Sequence, residues 1–124
     1  MMMTLEIPRP QWTSFFDSLS RTHAEEPIRV EVLRLDIGAQ VEVMALPLDG
    51  IAADLEGGEC VITIAAGSSP TEHIAHLIAD PQHVRLLRGP LGDDEALEIE
   101  AGDESTTLVY FDSPRSWSER EVNH

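Results

Sequence analysis

The chain has 124 residues, 42% of them apolar and 25% charged. That is the length and composition of one globular domain, and it excludes wholesale disorder. Its 23 carboxylates against 8 bases leave a net charge of −15, a field that repels phosphate backbones and anionic lipid and so argues against direct nucleic-acid or membrane binding.

The opening segment, Met1 to Pro10, carries Glu6 and has no apolar run behind a basic start, so it does not read as a secretory signal. No later apolar run approaches the roughly 18 residues of a membrane span. The expected setting is cytoplasmic. The single cysteine, Cys60, excludes an internal disulfide and a zinc knuckle.

Residues 8 to 22 predict a helix. Trp12, Phe15, Phe16 and Leu19 recur at helical period and form one apolar stripe, and Pro10 suits the first turn. Thr13, Ser14, Asp17, Ser18 and Arg21 make the opposite, polar face. The stripe is expected to plug a core from on top of a sheet.

After Pro27 the period changes to two. Ile28, Val30 and Val32 alternate with Arg29 and Glu31; Val41, Val43 and Ala45 with Gln40 and Glu42; Ile51, Ala53 and Leu55 with Ala52 and Asp54. Ile62 and Ile64 follow, then Val84 and Leu86, then Leu97, Ile99 and Ala101, then Thr107, Val109 and Phe111. Alternation of this kind means one buried face and one wet face, as in antiparallel strands. Asp36-Ile37-Gly38, Asp49-Gly50, Gly57-Gly58, Asp80-Pro81 and Gly102-Asp103 punctuate the runs with turn chemistry. Connections this short leave no room for crossover helices. Pro47 marks a bulge or an edge.

One segment reads two ways. Ser69-Pro70-Thr71-Glu72 has the form of a helix capping box, and Ile74, Leu77 and Ile78 then fit a helical stripe. Ile74, His76 and Ile78 also alternate. A weak repeat favours the strand: Ile62-x-Ile64-x-Ala66-Gly67 recurs 35 residues on as Leu97-x-Ile99-x-Ala101-Gly102, which sets Thr71 and Ile74 on Thr106 and Val109. Two related meanders of three or four strands would then build the fold.

Several segments resemble a family of short bacterial proteins known as a domain of unknown function. They are Glu6-Ile7-Pro8-Arg9-Pro10-Gln11-Trp12, the Phe15 to His23 stretch, Asp36 to Gln40, Leu46 to Asp54, Asp94 to Glu100 and Thr106 to Phe111. The resemblance covers most of the chain, stops short of the stretch after Pro114, and supports a strand at 72–78. It implies no activity, cofactor or site residue.

The carboxylates are unevenly spread. All eight bases are arginine; neither Leu35–Val84 nor Gly89–Pro114 contains a base, and each holds eight carboxylates. Simple solubility, salt adaptation and mimicry of a nucleic acid against a basic partner all fit this pattern. His73, His76 and His83, with Glu72 and Asp80 nearby, are the one cluster of metal-ligand types; on a helix His73 and His76 would share a face, on a strand they would not. His23 and His124 have no carboxylate or cysteine pattern around them. Cys60 beside Val61 and Ile62 reads as a small buried hydrophobe. The glycine pairs lack the Lys and Ser/Thr of a phosphate loop, and Asp93-Asp94-Glu95 and Asp103-Glu104 lack calcium-loop spacing.

The expectation is a mainly antiparallel α+β domain over 1–113, with one N-terminal helix on a twisted sheet or partly closed barrel of about eight strands, and a polar tail over 114–124 that Trp117 could anchor. No catalytic, cofactor or metal residue is assigned. The expected partner is a second copy or another protein. An acidic inhibitor of a basic nucleic-acid site and a small metal-dependent enzyme using His73, His76 or Asp80 are the alternatives.

Overall fold

The computed structural model describes residues 3–55 and 58–111. The expected polar tail, with Trp117, and one residue of the Gly57-Gly58 turn lie outside the described residues. Strand β1 (Met3–Ile7) leads through a single 3-10 turn (Arg9–Gln11) into helix α1 (Trp12–Thr22). Seven strands follow: β2 (Pro27–Arg34), β3 (Gly38–Asp54), β4 (Val61–Ser69), β5 (Glu72–Ala79), β6 (Pro81–Arg88), β7 (Asp94–Ala101) and β8 (Thr106–Phe111). All pairings are antiparallel, in the order β1-β6-β7-β8-β2-β3-β4-β5.

Two strand expectations need correction. Met3–Ile7 is a strand that was not foreseen, although Leu5 and Ile7 alternate with Glu6 and pack against the core. Asp49-Gly50 is no turn; it lies inside the 17-residue β3. The register slips between Leu48 and Gly50, so Asp49 is a bulge residue. Further slips fall at Glu42 and at Ala45, whose φ is 56°. Each extra residue bends the strand and increases its twist. Turn-forming residues are spent here on bending one long strand around the core. Pro47, opposite Pro27, sits where β2 stops pairing with β3.

The segment at 72–79 is a strand. The capping-box hydrogen bond does form: the Glu72 amide donates to Ser69 Oγ at 3.2 Å. It closes the turn between β4 and β5, a role the same side-chain oxygen plays as readily as a helix cap. The repeat positions correspond in space: Ile62, Ile64 and Ala66 on β4 and Leu97, Ile99 and Ala101 on β7 all face the core. β3-β4-β5 and β6-β7-β8 are two three-stranded meanders.

Only Asp80, at φ 50°, separates β5 from β6. Two residues on either side of one are at most roughly 7 Å apart. Yet β5 ends the sheet order and β6 lies next to its other end. The sheet therefore curls until these regions meet, without closing: β1 and β5 remain its edges. Inside the curl Ile28, Val30, Val43, Ile62, Ile64, Val84, Leu97, Ile99 and Val109 form one core with Trp12, Phe16 and Leu19. Each such aliphatic side chain, fully buried, contributes about 1.5–3 kcal/mol.

Helix α1 does more than lie on the sheet. Where β2 stops, the far edge of β3 would be bare from Leu48 onward. Glu25 and Glu26 extend the pairing to Leu48, with N–H···O distances of 2.9 and 2.8 Å. Ser20 Oγ then accepts from the Ile51 amide at 2.9 Å and donates to the Ile51 carbonyl at 3.1 Å. At the other end, Trp12 Nε1 donates to the Ile7 carbonyl at 2.9 Å. The helix thus caps a sheet edge while its apolar stripe fills the core.

Candidate functional site

The most highly built polar cluster was not foreseen. His23, the residue that ends α1, is 8% exposed. Its Nδ1 lies 2.7 Å from Glu26 Oε2 and its Nε2 2.8 Å from Asp94 Oδ2, at the start of β7. Asp94 also accepts from Arg88 Nε at 3.2 Å. The imidazole lies flat on Phe111, with centroids 4.1 Å apart and planes within 16°. Two carboxylates on two ring nitrogens require both nitrogens to donate, so the ring is an imidazolium. Burial alone would lower the His23 pKa; the hydrogen bonds to Asp94 and Glu26 outweigh it and hold it above the ordinary value. The His23 bond, reinforced by Arg88, holds the Asp94 carboxyl below its ordinary range. The expectation that no carboxylate accompanies His23 is corrected. Glu26 is three residues away and was legible, while Asp94 arrives from 71 residues down the chain. With both nitrogens committed and little surface exposed, the cluster ties the end of α1 to the start of β7 and to Phe111 of β8, and presents no free base to a solute.

The foreseen histidines are dispersed. His73 sits on the outer face of β5, with Nε2 3.2 Å from Asp49 Oδ2. His76 points to the opposite face, where burial first, offset in part by Glu42, pulls its pKa down. His83, on β6, meets Glu6 of β1 at 3.2 Å. Asp80 accepts from Gln82 Nε2 at 2.8 Å and its carboxylate covers Gly102. Among the described residues, no group of three or more His, Cys, Asp and Glu side chains is placed to hold a metal ion. Cys60 is buried, and that burial pushes its thiol pKa up.

A polar cleft of about 700 Å³ lies beside Asp80, His83, Glu100 and Glu104. Two of its lining residues, His83 and Glu100, belong to a charged row on the outer face of β1, β6 and β7. There Arg85 meets Glu6 at 3.0 Å, Glu98 at 2.8 Å and Glu100 at 3.0 Å. One arginine thus gathers three of the carboxylates.

The outer surface is not uniformly acidic. On β8, β2 and β3, register places Leu33 beside Ala39, Glu31 between Leu108 and Val41, and Arg29 between Tyr110 and Met44. The Arg29 guanidinium stacks on the Tyr110 ring at 4.4 Å. Val41, Met44, Leu35 and Ile37 are all exposed around this hairpin. A second exposed apolar set, Ile74 and Leu77, lies on β5.

The sequence matches a family model over residues 3–120. The chain belongs to DUF5335, a family of unknown function. The DUF5335 match runs past Pro114, so the stretch placed outside the resemblance falls largely inside the family. A relative described as an uncharacterised protein of Aquifex aeolicus is 42% identical over 53 residues, 43% of this chain and 48% of the relative. The chain spans about half the length of the curated relative it matches. No solved structure matches it. No helix among the described residues is long and apolar enough to cross a membrane.

Proposed function

We propose that this acidic chain is a non-catalytic protein-interaction or assembly module that works in the cytoplasm, its partner being a second copy or another protein. The observation that carries the reading is the exposure of large apolar side chains on paired, ordered strands: Leu35, Val41 and Met44 around the β2–β3 hairpin, and Ile74 and Leu77 on β5. Exposed apolar surface of this kind marks contact sites, on the outer face of β2 and β3 and, since Ile74 and Leu77 point to opposite sides, on both faces of β5. The chemistry of the best-built polar cluster points the same way, because His23 is consumed by its own carboxylates.

The test is light scattering on the purified chain, joined to affinity capture with identification of whatever is bound. A mass above that of one chain, or one reproducible protein partner, supports the reading. A single-chain mass with no partner contradicts it. A partner that is basic and is released by salt would favour the acidic-inhibitor alternative.

A further inference from the structure

Among the described residues the fold has four strand edges, and it blunts three of them. On the β4 side, Gly38 to Pro47 of β3 has no partner, since β4 joins only at Leu48, and register slips at Glu42 and Ala45 bend that stretch. The edge of β3 beyond Leu48 is covered by α1, with both backbone groups of Ile51 held by Ser20. The β1 edge is five residues long and is followed at once by Pro8, and its Glu6 is tied to His83 and Arg85. Short length, proline and charge are standard ways to blunt an edge. The fourth edge, β5, has little of this: it carries one charged residue, Glu72, and its nearest prolines, Pro70 and Pro81, lie outside the strand. It runs eight residues as Glu-His-Ile-Ala-His-Leu-Ile-Ala, without Lys, Arg or Pro. Its register with β4 is unbroken from Val61↔Ala79 to Ala66↔Ile74. Among the described residues no strand lies along its far side.

We propose that β5 is a pairing edge whose occupant is β5 of a second copy, joined antiparallel about a two-fold axis. This rests on the assembly reading above and names its surface and partner. Self-complementarity selects the occupant. A net charge of −15 opposes the meeting of like copies, so their seam must be poor in carboxylates, and Glu72 is the one charged residue of β5. Geometry selects the register. Side chains that meet across a strand pair must lie on the same face, which leaves alignments centred on a residue. Centred on His76, Ile74 of one copy meets Ile78 of the other, and Ala75 meets Leu77, so apolar groups face apolar groups on both surfaces, and the one like-charge approach, Glu72 towards Asp80, falls at the two ends of the seam where solvent and salt screen it. Centred on Ala75, Glu72 would instead oppose Ile78. The product is one continuous sheet through two protomers, held by backbone hydrogen bonds.

The experiment uses the full chain in three forms. Wild type is expected to scatter at twice the 13.7 kDa chain mass. Leu77→Glu is expected to scatter as one chain with an unchanged far-UV spectrum, since Leu77 is 62% exposed and its replacement leaves the protomer intact. A cysteine at position 76 in a Cys60→Ser background is expected to cross-link to its own copy on mild oxidation, because directly opposed strand residues lie 4.5–5.5 Å apart at Cα, within disulfide range. A cysteine replacing Thr4 on β1 in the same background is expected not to. A wild type that stays single at all concentrations overturns the inference, and if it still captures a defined partner the assembly reading survives. A dimer that ignores Leu77→Glu and cross-links at neither site also overturns the inference and leaves that reading standing.

Discussion

His23 and Phe111 stack face to face at 4.1 Å, and the imidazolium they bury is gripped from both sides by Glu26 and Asp94. Stability should therefore follow pH in a defined way. The folded-state pKa of His23 lies above the ordinary 6.5, so its contribution is whole below about that pH and is lost as pH rises through the folded value. Asp94 lies below its ordinary 3.8, so its contribution is whole above that pH and is lost as pH falls through the folded value. The cluster stabilises most between the two. In urea, wild type should weaken from pH 6 to pH 9 more steeply than His23→Gln. Parallel slopes would contradict the imidazolium.

At pH 6 the same His23→Gln variant should lose roughly 2–3 kcal/mol. Removing one partner of a buried charge pair costs about 3–5 kcal/mol, and the figure is reduced here because the Glu26 side chain keeps 27% exposure. Denaturant titration measures it. A loss under about 0.5 kcal/mol would mean the cluster is only decorative.

Ser20→Ala should cost about 1–3 kcal/mol, because it leaves both the amide and the carbonyl of Ile51 without their partner in a partly buried setting. Amide exchange at Ile51 should quicken with it. Unchanged protection there would show that the helix does not cap this edge.

Gly67→Ala should be among the most damaging single substitutions. Gly67 holds φ 118°, and an added Cβ would fall on the Glu72 carbonyl, a backbone atom that cannot swing aside. The β4–β5 turn would have to open. The expected loss exceeds about 2 kcal/mol, read from the urea midpoint; a neutral result would contradict the turn geometry. Phe16→Ala, with Phe16 fully buried, should cost about 3–5 kcal/mol by the same assay.

What the sequence disclosed and what it withheld divide along range of interaction. The stripe of Trp12, Phe16 and Leu19 and the alternation on β2, β4, β7 and β8 are local periodicities, and the structure buries those residues as the periods require. Asp49-Gly50 misled because bulges and turns use the same residue types, and only the register of the partner strand separates them. Ser69-to-Glu72 was ambiguous because one hydrogen bond serves both a cap and a turn. The His23 cluster hid for a different reason: half of it is carried by Asp94 and Arg88, across the sheet, and no spacing rule reaches that far. Likewise, a strand's place at an edge depends on the order of the whole sheet, so β5 could be read as a strand but not as an unprotected one.

Hydrogen exchange of the full chain as a function of protein concentration tests the central claim most directly, since it reads the backbone groups that would join two copies. The amides on the far side of β5, from Glu72 to Ala79, should exchange freely in dilute protein and become protected as concentration rises, while those of β1 stay unchanged. Free exchange along β5 at every concentration would contradict it.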